Sequence, residues 1–257
     1  MGETVHEMAI TIFLRLRHHT PGDHLPDIAA GESVCTGGAI TTFDVSGASE
    51  TIPVAINTSG TITGSFAIPP FEPGHSFVRN AGGVITTFDV PGALGTIAFD
   101  INDAGQTTGV FTTPAPNGGV ADHGFVRNAA GAITTFDIPG ASDIHAFSIN
   151  NLGQVVGDFS DGSGSHAYLR GTNGAITTFD VPGGFDTSAL GINNLGEIAG
   201  DFFDASGDVH GFLRDVAGGF TTFDVPDAFR LFDSPISTFA VTLSTTPIRS
   251  LEPSLPV

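Results

Sequence analysis

Apolar and polar residues alternate along most of this chain in short runs, and glycine, proline, asparagine or aspartate closes nearly every run. Period-two alternation bounded by turn residues predicts half-buried β-strands. No segment carries a 3.6-residue apolar period with helix caps. Residues 145–181 show the pattern well. HAFSIN (145–150) reads as a first strand, Asn-Asn-Leu-Gly as a turn, QVVGDF (154–159) as a second strand, HAYLR (166–170) as a third and AITTFDV (175–181) as a fourth.

This four-strand unit recurs. Thr-Thr-Phe-Asp occurs five times, with its phenylalanine at Phe43, Phe88, Phe136, Phe179 and Phe223, in steps of 45, 48, 43 and 44 residues. Ile-Asn recurs in step at Asn57, Asn102, Asn150 and Asn193, and so does a histidine at His75, His123, His166 and His210. Four antiparallel strands in each of several such repeats is the sequence form of a β-propeller blade. Full units run over 51–90, 96–138, 144–181 and 187–225. A leading strand at 39–45 and a tail at 230–250, which includes ISTFAVTL, remain at the two ends. Joined, they predict an all-β, five-bladed propeller with four antiparallel strands per blade, closed by N- and C-terminal segments that share one blade. Closure removes open sheet edges. Residues 8–17 are an alternative source of a missing strand. The expected organisation is a non-repeat segment, 1–31, and a single propeller domain, 32–257.

Strand parity places Ala98, Asp100 and Asn102, with their counterparts, on one face of the first strand and isoleucine on the other, so these strands are expected innermost. The Ile-Asn asparagines are expected to cap the turns that follow them, and the Thr-Thr-Phe-Asp aspartates to cap the Pro-Gly turns. The histidines are expected to stack across the strand pair on Phe88, Phe136 and Phe179.

The units GINNLGEIAGDFFDASGDVHGFLR and SINNLGQVVGDFSDGSGSHAYLR resemble the HAF repeat of probable extracellular bacterial proteins, over about residues 39–225. The resemblance rests on Ile-Asn, on Gly-x-x-x-Gly in the second strand and on His-x-Phe in the third. It implies secretion and a propeller-like array, and it implies no reaction.

Composition narrows the partners. Eight basic residues against 27 acidic ones give a net charge of −19. Such a chain repels phosphate backbones, so nucleic acid is not an expected partner, whereas cations including Ca²⁺ are. Cys35 is the single cysteine, so no intrachain disulfide forms. The acidic start, with Arg15 and Arg17 after the short apolar run, lacks the form of an export signal. No run is long enough to span a membrane. A monomer is expected.

Residues that every unit needs serve the architecture, so departures from the repeat carry the candidate chemistry. Six residues after each Thr-Thr-Phe-Asp aspartate stand Glu50, Gly95, Asp143, Asp186 and Arg230; His145 stands where other units have Ile52, Ile97 and Ser188; Asp100 is the one charge on its strand face. Convergent oxygens suit a calcium ion, for which Asp100, Glu50, Asp186, Asn102 and Asn150 are the candidate ligands. His145, with Asp143 and Arg230, is the candidate catalytic set, the histidine acting as general base on water. The loops between second and third strands are expected to add Asp158, Asp161, Asp201, Asp204 and Asp208. The expected function is metal-assisted hydrolysis of a small lactone or ester at the channel mouth. The alternative is a non-catalytic extracellular module that binds carbohydrate or protein.

Overall fold

The computed structural model describes residues 32–36, 39–69, 71–115 and 118–224, and all regular structure among them is β. A hairpin of β1 (Glu32–Thr36) and β2 (Ala39–Phe43) comes first. Sheet I holds β3 (Glu50–Ile56), β4 (Ile62–Ile68), β5 (Phe71–Arg79) and β6 (Ile85–Phe88). Sheet II holds β7 (Gly95–Ile101), β8 (Thr107–Pro114), β9 (Val120–Arg127) and β10 (Ile133–Phe136). Sheet III holds β11 (Asp143–Ile149), β12 (Val155–Asp161), β13 (Gly164–Arg170) and β14 (Ile176–Phe179). Sheet IV holds β15 (Phe185–Ile192), β16 (Ile198–Phe203), β17 (Val209–Arg214) and β18 (Phe220–Phe223).

Each sheet is an antiparallel meander with its strands in chain order. The first strands β3, β7, β11 and β15 lie side by side, and each of β7, β11 and β15 rests on the second and third strands of the sheet before it. The result is a propeller-like array of four sheets. The tail at 230–250 and residues 8–17 lie outside the described residues, as does Arg230. Among the described residues no helix is long and apolar enough to cross a membrane.

The repeated residues hold neighbouring sheets together. The Thr-Thr-Phe-Asp phenylalanine of one sheet lies under the arginine that ends the third strand of the next: Arg79 over Phe43, Arg127 over Phe88, Arg170 over Phe136 and Arg214 over Phe179, at 4.6–4.9 Å. The same phenylalanines meet Phe77, Phe125, Tyr168 and Phe212 edge-on, and these four rings are fully buried. The apolar core is therefore a series of inter-sheet clusters, such as Val156 and Ala167 of sheet III with Ala189, Ile192 and Phe202 of sheet IV.

The Ile-Asn asparagines cap their turns as expected. Asn150 Oδ1 accepts from the backbone N–H groups of Leu152 and Gln154, and Gly153 completes the turn at φ +78°. They also join the sheets. Asn57 Nδ2 donates to the Asn102 carbonyl at 3.0 Å, Asn102 Nδ2 to that of Asn150 at 2.9 Å, and Asn150 Nδ2 to that of Asn193 at 3.0 Å.

Three expectations change. First, each first strand carries a β-bulge, at Val54, Phe99, Phe147 and Leu190. The facing second-strand glycine makes room for it: a Cβ on Gly157 would collide with the His145 carbonyl oxygen. A bulge shifts side-chain parity by one, so Ala98 shares its buried face with Ile101 and not with Asp100. Second, Ser76, not His75, pairs with Phe88. His75 stacks on Phe66 of the adjacent second strand at 5.2 Å, and His123 on Phe111 at 5.0 Å. Third, the Thr-Thr-Phe-Asp aspartates face these histidines: His75 Nδ1 meets Asp89 at 2.9 Å, His166 meets Asp180 at 2.9 Å and His210 meets Asp224 at 2.6 Å. The turns after them are tied instead by threonine, with Val90 N donating to Thr96 Oγ1 at 3.0 Å.

Candidate functional site

The repeat breaks most sharply where sheet III meets sheet IV. In the cross-strand pairs Ile52–Ser65, Ile97–Val110, His145–Asp158 and Ser188–Asp201, the first-strand residue is polar and faces a carboxylate only in the last two sheets. His145 Nδ1 meets Asp158 Oδ1 at 2.8 Å, and the Ser188 hydroxyl donates to Asp158 Oδ2. The first and second strands of sheet III thus hold the histidine and aspartate face to face. The first strand of sheet IV fixes the other carboxylate oxygen.

A third departure supports the pair. Tyr168 stands where the other sheets have Phe77, Phe125 and Phe212, and its hydroxyl donates to the His145 carbonyl at 3.0 Å. Burial pushes the Tyr168 phenol well above its usual range. Phe147 lies parallel to the His145 ring, 5.5 Å away at 9°, and Phe99 of sheet II meets Phe147 at 5.8 Å.

Electrostatics raise the pKa of two of these groups, His145 and Asp201. Asp158 raises the His145 pKa, chiefly through their hydrogen bond. Partial burial opposes this, and Asp122 and Asp143 add smaller upward pulls. The Asp201 side chain has no hydrogen-bond partner among the described residues, and burial with the nearby Asp158 charge pushes its pKa up to about 6. The bond to Asp158 takes Nδ1, so Nε2 is the remaining ring nitrogen. The His145 side chain is 36% exposed.

The expected calcium ligands do not converge. Glu50, Asp143 and Asp186 lie at the starts of their first strands, while Asn102 and Asn150 follow the ends of theirs. Seven residues of strand separate Asp143 from Asn150, roughly 20 Å at ~3.3 Å per residue. The Asn102 and Asn150 amides are taken up by turn caps and inter-sheet bonds. Asp100 accepts from Ser148 Oγ at 2.9 Å and from the N–H groups of Ile149 and Ile101 at 2.8 Å, so it ties sheet II to sheet III. Burial raises its pKa, and these three donors pull the other way. Asp186 sits at φ +47° and accepts from Ser165 N at 2.8 Å, pinning the β12–β13 turn. Among the described residues, no group of three or more His, Cys, Asp or Glu is arranged to hold a metal ion. Of the expected catalytic set, Asp143 lies two residues from His145 and acts on it through its charge, and Arg230 lies outside the described residues.

Asp158 and Asp201 lie on strands β12 and β16, not in loops as expected. The sequence signal for them was Gly-Asp-Phe in the third and fourth units against Gly-Ser-Phe and Gly-Val-Phe in the first two. Asp161 and Asp204 bind the neighbouring Ser163 and Ser206 within their own turns. An open groove of about 270 Å³, lined by Gln106, Leu152, Arg170 and others, lies between sheets II and III at the asparagine-turn end, away from His145.

No family model matches this chain, and no curated protein does. Among solved structures it is similar to a catalytically inactive variant of virginiamycin B lyase from Staphylococcus aureus, crystallised with quinupristin. The likeness covers 69% of this chain and 71% of that one, at 16% identity and a TM-score of 0.35.

Proposed function

We propose that this protein hydrolyses a small ester or lactone by general acid–base catalysis, with Asp201 as the base and His145 as the acid. The observation that supports this reading is the ordering of two proton affinities about one carboxylate. Asp201 is raised to about 6, and His145 is raised above its ordinary value by Asp158. Between the Asp201 pKa and the raised His145 pKa, the working state is an Asp201 carboxylate and a His145 imidazolium, each next to Asp158. Asp201 takes a proton from water as the water oxygen bonds to the carbonyl carbon. When the carbon–oxygen ester bond breaks, His145 Nε2–H protonates the departing alkoxide. Asp158 holds the imidazolium through Nδ1, and proton exchange with solvent restores both groups. Positioned proton transfer of this kind contributes about 10²–10⁴-fold. This assignment reverses the role expected for His145, because its neighbours favour the protonated ring. It also needs no calcium ion, which the separated ligand candidates would not share.

The test is turnover of chromogenic aryl esters and γ-lactones by the full chain between pH 5 and 9, with and without chelator. The expected result is chelator-resistant hydrolysis, lost in both Asp201→Asn and His145→Gln. Hydrolysis abolished by chelator would restore the calcium mechanism. Glycan binding without turnover would mark a binding module.

The same proposal takes the array to be a closed five-bladed propeller of the HAF-repeat type with an extracellular address. Arg79 lies over Phe43 of the leading hairpin just as later arginines lie over the preceding sheet, which supports β2 as the outer strand of a fifth blade. The tail beyond residue 224 is the proposed source of its inner strands.

A further inference from the structure

The surroundings of His145 also narrow the substrate. The four arginines of the described residues end the third strands, beside the asparagine turns and folded over phenylalanine rings. His145 lies toward the opposite end, where Asp122, Asp143 and Asp158 bear on it and Asp201 lies next to Asp158. Beside these carboxylates the bulges of β7 and β11 set out a half-exposed aromatic strip, Phe99–Phe147–His145, that bridges sheets II and III. Positions 99 and 147 are phenylalanine where the other two sheets have Val54 and Leu190. Four carboxylates, Asp122, Asp143, Asp158 and Asp201, outnumber the protonated His145 of the hydrolytic reading, and none of the described arginines lies beside them, so the net field at the aromatic faces attracts an organic cation and repels an anion.

We infer that the substrate is an ester or lactone bearing a quaternary ammonium or a readily protonated amine next to an apolar body, with the cation held on Phe147 and Phe99 and drawn there by Asp143. This rests on the hydrolytic reading and names the class of molecule it acts on. The ammonium group lies against the Phe147 and Phe99 faces, in the field of the Asp143 carboxylate that also bears on His145. The ester carbonyl then comes to His145 Nε2, since that ring is stacked on the same strip.

Two measurements separate this inference from the reading beneath it. Turnover of benzoylcholine is compared with that of its uncharged carbon isostere, 3,3-dimethylbutyl benzoate, and of an anionic phenyl hemisuccinate. The expected kcat/KM falls about tenfold from the cation to the neutral ester and further to the anion, and the gap narrows with added salt. Binding of the inert cation benzyltrimethylammonium is followed by NMR of labelled phenylalanine, with Phe147 shifted and affinity reduced about tenfold in Phe147→Leu and about threefold in Asp143→Asn. Equal turnover of all three esters overturns the substrate class and leaves hydrolysis standing. Binding at Phe147 without turnover of any ester overturns hydrolysis and leaves the cation site. An unshifted Phe147 overturns the inference whatever the esters do.

Discussion

The Arg127 guanidinium of sheet II lies 4.6 Å above the Phe88 ring of sheet I, and Arg127 is only 8% exposed. A desolvated cation–π contact is worth up to about 2 kcal/mol, and the buried stem adds packing. Arg127→Gln is expected to lower unfolding free energy by about 1–2 kcal/mol. A double-mutant cycle with Phe88→Leu, read by denaturant titration, should return a coupling of at least ~0.5 kcal/mol. Additive costs would mean that the two groups act independently.

Asn102 sits between three partners: the Gln106 N–H, the Gln106 side-chain oxygen and the Asn150 carbonyl. Asn102→Ala should cost about 2–3 kcal/mol, because it strips the Asn150 carbonyl and the turn together. Asn102→Asp should cost more at pH 8 than at pH 4, since an ionised carboxylate would face two acceptors. Thermal melts of both variants at the two pH values check this. A pH-independent Asn102→Asp would refute the bond to Asn150.

Much of this was legible in the sequence, and the limits have physical causes. The period identified Phe88, Asn102 and their counterparts because each interface needs the same residues again. The residue opposite Phe88 was misplaced by one because the turn after β5 closes at Asn80 N to Val84 O around a glycine at φ +90°, so Arg79 pairs with Ile85 and Ser76 with Phe88. That extra loop residue leaves no mark on the apolar pattern. The bulge at Phe147 is hidden in the same way. His145 was found as a departure from the repeat. Asp158 and Asp201 were seen but assigned to loops, because only the cross-strand register puts them opposite His145 and Ser188.

The pH–rate profile should be a bell. Activity rises through the Asp201 ionisation, near pH 6, and falls as His145 loses its proton above its ordinary pKa of 6.5. Asp158→Asn removes the main cause of the His145 shift, so the alkaline limb should move to lower pH; the acidic limb should also move to lower pH but by less, because the Asp158 charge is the lesser cause of the Asp201 shift. An unmoved alkaline limb would assign it to another group.

The two groups also set stability against pH with a shared sign. The folded pKa of Asp201 exceeds its unfolded value of 3.8, so the folded state is favoured below about 4 and loses that advantage as pH rises through about 6. His145, also raised, adds stability that is full below 6.5 and is lost as pH climbs through its folded pKa. Asp201→Asn should therefore melt higher than the parent at pH 8 and match it near pH 4, by calorimetry. A variant less stable at pH 8 would contradict the buried charge.

Tyr168→Phe restores the residue found in the other sheets and removes one bond to the His145 carbonyl. The expected stability loss is about 1 kcal/mol. The expected kinetic effect is a fall in kcat at nearly constant KM, with the NMR-detected His145 titration shifted. Unchanged kcat and titration would leave the hydroxyl without a positioning role.

The asparagine joint has a consequence for how the chain counts its sheets. Each sheet presents a carbonyl on one side and an amide on the other, so every joint is head-to-tail and identical in form to the next. Nothing in it recognises the first sheet or the last. Joints of this form can be added in series, as head-to-tail contacts are between subunits of an oligomer. A copy of residues 91–138 spliced in after residue 138 would meet the same joint on both sides, leaving curvature alone to decide how many sheets the array admits.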